Sequence, residues 1–120
     1  MTVRRIKTYT ASTGYVYEYY FVGKRPALPD EPLAPATEYI FDLSSDRKSI
    51  FAASVFLSAE AVEQFALEHA RALSEPEQYA AAKLRLLQAL DEIPNMLQDG
   101  RRLVVDAGSL EQLLASVGIE

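Results

Sequence analysis

The sequence changes character near residue 58, and this change constrains the fold more than any other feature. Ten of the twelve aromatic residues lie in the first 57 positions, whereas residues 58–120 are rich in alanine, leucine, glutamate and glutamine. Aromatic and β-branched residues favour strands, and the residue types of the second part favour helices. The sequence therefore predicts a β-rich first half that is followed by an α-helical second half.

The 120 residues fit one domain, 1–120, because no linker separates the two halves. A hydrophobic content of 49% is sufficient for a packed core. The absence of cysteine excludes disulfides and thiolate zinc sites. We predict a soluble, cytoplasmic protein, since the uncharged stretch Ser49–Ala59 is shorter than the roughly 20 residues of a membrane helix. The basic N-terminus precedes no apolar run, so we expect no secretory signal.

The first half is predicted to contain two β-hairpins. In the first, Val3–Thr10 pairs with Tyr15–Val22 through the four-residue turn 11–14, which places Lys7 opposite Glu18. The face best suited to a core then carries Ile6, Thr8, Tyr15, Tyr17, Tyr19 and Phe21.

In the second hairpin, Glu38–Leu43 pairs with Lys48–Leu57 through the polar turn 44–47. An even-length turn puts Tyr39 and Phe41 on the same face as Ile50 and Phe56. The other face then carries Ile40, Asp42, Phe51, Ala53, Val55 and Leu57. Both faces are largely apolar, whereas a sheet with one solvated face alternates between apolar and polar residues.

A proline-rich strap, residues 23–37, connects the two hairpins. Pro26, Pro29, Pro32 and Pro35 recur every third residue, which is the period of a polyproline II helix. Such a helix spans roughly 28 Å at about 3.1 Å per residue, which is long enough to cross the sheet. Either the strap is a ligand for an aromatic groove of another protein, or it lies on the tyrosines of its own sheet. We favour the second interpretation.

Two helices in a hairpin are predicted after the sheet. Ser58 caps a helix that runs to about Leu73, and one or two residues later Ser74 and Glu77 form a capping box. The second helix ends near Ile93, because Pro94 cannot continue it.

The chain then returns to the sheet. A short strand is predicted over Arg102–Asp106. A helix follows it, begins at a capping box of Ser109 and Gln112, and extends through Val117. Together these elements predict an α+β fold in the order β-β-β-β-α-α-β-α. We expect a mainly antiparallel sheet of four or five strands, with the helices mostly on one face.

Motifs of known chemistry are absent, and no cofactor or metal site is predicted. The chain has no nucleophile elbow, phosphate-binding glycine loop or dinucleotide fingerprint. His69 is the one residue whose ordinary pKa suits general base catalysis near neutral pH. It lies on the apolar stripe of the first helix, so we favour a packed histidine with one hydrogen bond over a catalytic one. For Asp106 we favour a turn or capping role.

A cluster of tyrosines and basic residues is the candidate ligand-binding site. Aromatic rings that alternate with cations can stack the bases of single-stranded nucleic acid. The alternative interpretation is that tyrosines at every second position form a core and an interface. We favour this alternative and expect no nucleic-acid binding, since residues 58–120 carry a net charge of −6. The candidate residues are Arg5, Lys7, Tyr17, Tyr19 and Tyr20.

The leading hypothesis is a non-enzymatic interaction or regulatory module that forms a homodimer and can also bind an unidentified protein partner. Three helices of about 40 residues in total can cover only one face of the predicted sheet. The other face would expose a large apolar patch unless a second copy covered it. We assign to this patch Val16, Tyr20 and Val22 of the second strand and Phe51, Val55 and Leu57 of the fourth. A binder of single-stranded nucleic acid or of a small ligand is the alternative, and an enzyme that uses His69 is the weakest hypothesis.

Overall fold

Within the described residues, five strands and three longer helices follow one another in the predicted order, and one additional short helix precedes the last strand. The computed structural model describes residues 5–119. The strands are β1 (Lys7–Thr10), β2 (Val16–Pro26), β3 (Ala36–Ser44), β4 (Phe51–Ser58) and β5 (Arg102–Val105). The helices are α1 (Ala59–His69), α2 (Glu75–Glu92), α3 (Met96–Asp99) and α4 (Ala107–Ala115).

The strands form one sheet in the order β1-β2-β3-β4-β5. The first four pair antiparallel, and β5 pairs parallel to β4 at the far edge. The chain between β4 and β5 contains α1, α2 and α3, since a parallel connection requires a long crossover. The predicted α+β fold, with a mainly antiparallel sheet and helices packed on one face, is confirmed.

The core lies between the helices and one face of the sheet. Every second residue of the central strand β3 is buried there, namely Tyr39, Phe41 and Leu43. The ring of Tyr79, on α2, contacts that of Phe21 at a centroid distance of 4.8 Å. We name this side the core face and the opposite side the open face.

The predicted register of the first hairpin is wrong by one residue. Lys7 pairs with Tyr19, not with Glu18, so Tyr9 shares the core face with Tyr17. The connection spans residues 11–15, because the Ala11 N–H donates to the Tyr15 carbonyl at 2.8 Å and Gly14 adopts a positive φ of 93°. One added loop residue reverses the side to which each side chain of β1 points. Residues 3 and 4 of the predicted strand lie outside the described residues.

The second hairpin also has an odd-length connection. Leu43 pairs with Phe51, which leaves residues 44–50 between the paired positions. The Asp46 carboxylate accepts hydrogen bonds from the Lys48 and Ser49 N–H groups at 2.8 Å, and these bonds stabilise the longer loop. The even-length prediction is therefore wrong, and Phe51, Val55 and Leu57 lie on the core face instead of the opposite one.

The prediction of an extended polyproline strap is wrong as well. Strand β2 continues to Pro26 and β3 begins at Ala36, so residues 27–35 form the end of a long hairpin. Two successive turns fold this segment, in which the Glu31 N–H donates to the Leu28 carbonyl and the Ala34 N–H to the Glu31 carbonyl, both at 2.9 Å. A polyproline II helix has no internal hydrogen bonds, so backbone pairing favours the folded loop.

Helix α1 begins as predicted, with the Ser58 hydroxyl accepting from the Ala61 N–H. It ends at His69, four residues before the predicted Leu73, because Ala70 has a left-handed φ of 54°. The connection to α2 is therefore 70–74, longer than the one or two residues expected.

Two further helix starts show how local the capping signals are. The predicted box of Ser74 and Glu77 is confirmed at the start of α2. At α4 the box is formed by Asp106 as the N-cap and Ser109 three residues later, so the predicted box of Ser109 and Gln112 is wrong by three residues. The capping role that we favoured for Asp106 is confirmed.

We expect the α2 cap to make stability depend on pH. The Arg71 guanidinium, and next the Ser74 N–H, lower the pKa of Glu77 from 4.5 to about 2. A carboxylate whose pKa is lower in the folded state stabilises that state above the unfolded value, so this stabilisation is lost as pH falls from 4.5 towards 2. The thermal unfolding midpoint of Glu77→Gln should lie below that of the wild type at pH 6, and the difference should shrink below pH 4.5. The control is Glu63→Gln, at an exposed position of α1. A difference in midpoint between Glu77→Gln and the wild type that does not change with pH, or that Glu63→Gln also shows, would contradict a stabilising role of the ionised Glu77.

Candidate interaction surface

The open face carries no helix within residues 5–119, because the helices pack against the core face. Alternation along the strands determines which side chains it presents. It carries Glu18, Tyr20, Glu38, Ile40, Asp42, Ala52, Ser54, Phe56, Arg102 and Val104.

One end of the open face is covered by the loop 27–35. Glu31 of this loop forms an ion pair with Arg102 of β5, and the Arg102 guanidinium lies 5.2 Å from the centre of the Phe56 ring. Phe56 is only 3% exposed although it lies on this face. This end of the face is therefore closed by the chain itself.

A buried carboxylate lies at the same end. Glu38 is 9% exposed and accepts hydrogen bonds from the Ser54 hydroxyl at 2.6 Å and the Arg25 Nε at 2.8 Å. Burial alone would raise the pKa of Glu38, but these two hydrogen bonds lower it overall. The carboxylate is thus ionised, and each of its oxygens accepts a hydrogen bond from within the chain, which is typical of a structural role.

The other end of the open face exposes isoleucine side chains. Ile6, just before β1, is 57% exposed, and Ile50, just before β4, is 65% exposed. Together with Tyr20 and Asp42 they line a shallow cleft of about 160 Å³. Arg47 and Glu18, which also line the cleft, form an ion pair at 3.7 Å. This end therefore combines exposed apolar side chains with charges that have partners.

The charges on and over the open face nearly cancel. Three ion pairs join Glu18 to Arg47, Glu38 to Arg25 and Glu31 to Arg102, and Asp42 adds one negative charge. A second copy of this acidic chain would therefore meet little repulsion at this face. The charged residues are Glu18, Glu31, Glu38, Asp42, Arg25, Arg47 and Arg102.

The five residues predicted to bind a ligand do not share one accessible surface. Tyr17 and Tyr19 are buried on the core face, at 3% and 7% exposure. Lys7 also lies on that side, opposite Tyr19, and Arg5 is exposed before β1. Tyr20 alone lies on the open face. Ile50 was not predicted to lie on this face with Tyr20, because an even number of residues in the second loop would place it on the opposite face.

His69 lies at the opposite side of the molecule, between α1 and α4. Its Nε2 is 2.6 Å from the Glu111 Oε1, and its ring stacks on Phe65 at a centroid distance of 4.0 Å. The predicted hydrogen bond of a packed histidine is thus present. Glu68, His69 and Glu111 each offer a ligand atom, and these atoms lie within 4.8 Å of one another.

Comparisons with protein-family models, with curated proteins and with solved structures found no match to this chain. Among residues 5–119, no helix is both long enough and apolar enough to cross a membrane. The geometry of the open face is therefore the main support for a functional proposal.

Proposed function

We propose that this protein is a non-enzymatic interaction module that works as a homodimer, in which two copies pack their open faces together. One observation carries the proposal: the helices cover a single face of the sheet, while the other face exposes Ile6 and Ile50 beside paired charges. Contiguous apolar patches that polar residues surround mark surfaces that bind another protein, and the two isoleucines line one cleft with Tyr20.

The dimensions of the open face suit such an interface. The 36 residues of the five strands span about 590 Å², at about 3.4 Å along each strand and about 4.8 Å between strands. The loop 27–35 covers one end of this area, and its outer surface adds to the roughly 800 Å² that each partner contributes to a standard interface.

A second copy is the partner that the charge pattern favours. In a two-fold dimer, the same surface of each copy meets the other, so a face must be compatible with itself. Glu18 and Arg47 lie side by side at the uncovered end, so each ion pair can exchange partners across the two-fold axis without creating an unpaired charge. The near-neutral face also avoids the repulsion that the net charge of −5 would otherwise cause.

The other hypotheses have less support. Binding of single-stranded nucleic acid or of a small ligand by the tyrosines would need accessible rings, and Tyr17 and Tyr19 are buried. An enzyme that uses His69 would need a substrate pocket around an imidazole that already contacts Glu111 and Phe65. We place the dimer in the cytoplasm, a proposal with which a cysteine-free chain is compatible.

Light scattering coupled to size-exclusion chromatography tests the proposal. At concentrations from about 1 to about 100 µM, we expect the mass to approach twice the 13.3 kDa of one chain. A mass of 13.3 kDa across this range would overturn the homodimer. A mass above two chains would overturn the closed two-fold arrangement.

A further inference from the structure

Three side chains with metal-binding atoms converge where α1 meets α4. Glu68 and His69 end α1, and Glu111 lies on α4, 42 residues after the histidine. The ligand atoms of the three residues all lie within 4.8 Å of one another. The packing of the two helices thus assembles one imidazole nitrogen and two carboxylates.

This donor set matches the preferences of Zn²⁺. Zinc binds histidine nitrogen at about 2.0–2.1 Å and carboxylate oxygen at about 2.0–2.2 Å in tetrahedral geometry, and an open site has three protein ligands and a water. Calcium and magnesium prefer sets made only of oxygen atoms. The imidazole of His69 therefore favours a transition metal over these ions.

The ion can enter with small side-chain movements. Two tetrahedral ligands of zinc lie about 3.4 Å apart, whereas the His69 Nε2 and the Glu111 Oε1 are 2.6 Å apart. An opening of less than 1 Å is needed, and the Glu111 side chain is 39% exposed and has room to move. Glu68 is exposed and hydrogen-bonded to Gln64, so a rotation brings it to the ion at the cost of one surface hydrogen bond.

The surroundings hold the imidazole in place without opposing a cation. The Phe65 ring, 2% exposed, stacks on His69 at 4.0 Å and fixes its plane. The Arg71 guanidinium lies 5.5 Å from the centre of the Phe65 ring, and both of its terminal nitrogens bind the Glu77 carboxylate at 3.0 Å. Glu68 and Glu111 therefore give the cluster a net negative charge when the imidazole is neutral.

We infer that Glu68, His69 and Glu111 form a binding site for a divalent transition metal, with Zn²⁺ as the best fit. The bound ion replaces the hydrogen bond between His69 and Glu111 with two coordinate bonds, and so ties α4 to the end of α1. A water completes the coordination. The site is independent of the open face and of the homodimer.

Proton NMR provides a direct test, because His69 is the one histidine of the chain. Addition of Zn²⁺ to the wild-type protein should shift the imidazole signals and raise the thermal unfolding midpoint, since a ligand that binds the native state stabilises it. We expect Glu111→Gln to weaken Zn²⁺ binding by about tenfold or more, because even outer-shell changes at metal sites cost that much. Isothermal titration calorimetry measures the affinity, and Mg²⁺ should give no shift.

The Glu111→Gln variant distinguishes a folded metal site from binding of Zn²⁺ to the histidine alone, since His69 and Glu111 come together only in the folded chain. Glu68→Gln, at an exposed position, provides a second variant in case Glu111→Gln disturbs the packing of α4. The matched control is Glu63→Gln, an exposed glutamate on the same helix, which should bind Zn²⁺ like the wild type. Unshifted imidazole signals at millimolar Zn²⁺, or equal affinity in the wild type and both ligand variants, would overturn the site.

Discussion

Replacing Phe41 by alanine is expected to reduce the free energy of unfolding by about 3–5 kcal/mol, the range found when buried phenylalanines are truncated. Phe41 lies on the central strand and is 0% exposed. Its ring contacts that of Phe21 at 5.3 Å and that of Tyr79 at 6.3 Å, so its removal leaves a cavity between the sheet and α2. A domain of this size has a net stability of only about 5–15 kcal/mol, so the variant would be close to unfolding.

Urea unfolding monitored by circular dichroism measures this loss. The control is Leu67→Ala, at a position of α1 that is 84% exposed, where we expect a change within about 0.5 kcal/mol. A loss below about 1 kcal/mol for Phe41→Ala would contradict a core centred on β3 and α2.

The Ile50→Lys variant should dissociate the proposed dimer. Full burial of an isoleucine is worth about 1.5–3 kcal/mol, and Ile50 is 65% exposed in one chain, so a dimer that buries two copies loses about 2–4 kcal/mol. This corresponds to a dissociation constant raised by about 30-fold to about 1,000-fold. Two lysine ammonium groups facing an apolar surface add to the loss.

Sedimentation equilibrium measures the dissociation constant of each variant. Leu67→Lys places the same charge at a similarly exposed position on the helical side, and we expect it to associate like the wild type. The far-ultraviolet circular dichroism of Ile50→Lys should match that of the wild type, because the substituted side chain lies on the surface. Equal association of the two lysine variants would show that the open face is not the contact.

Signals within a few residues allowed much of this fold to be predicted. Ser58, and Ser74 with Glu77, mark helix starts that depend only on side chains reaching backbone groups three residues away. The order of strands and helices was predicted from the composition and the periodicity of short segments, which are also local properties. These features need no knowledge of distant contacts.

Strand register could not be predicted, because it depends on whether each loop has an even or an odd number of residues. Gly14 and Asp46 each stabilise one particular loop, and the resulting shift of one residue decides which side chains of β1 and β4 face the core. The proline spacing was misleading for a related reason, since the loop 27–35 pairs its backbone within a hairpin. Regular spacing does not reveal such pairing.

The candidate site was predicted in part. The sequence indicated that one face of the sheet would lack helices and that Tyr20 would lie on it, but it assigned Phe51, Val55 and Leu57 to that face, and they lie in the core. The contact between His69 and Glu111 has no local signal, because it follows from how α1 packs on α4.

Isotope-filtered NMR on a mixed sample tests the dimer most directly. Equal amounts of ¹³C-labelled and unlabelled chains are combined, and nuclear Overhauser effects between the two kinds of chain are recorded. We expect these signals to involve the methyl groups of Ile6 and Ile50 and the ring of Tyr20, all on or beside the open face. Signals from Leu67 on the helical side instead, or no signals between chains at millimolar concentration, would contradict a dimer formed through the open face.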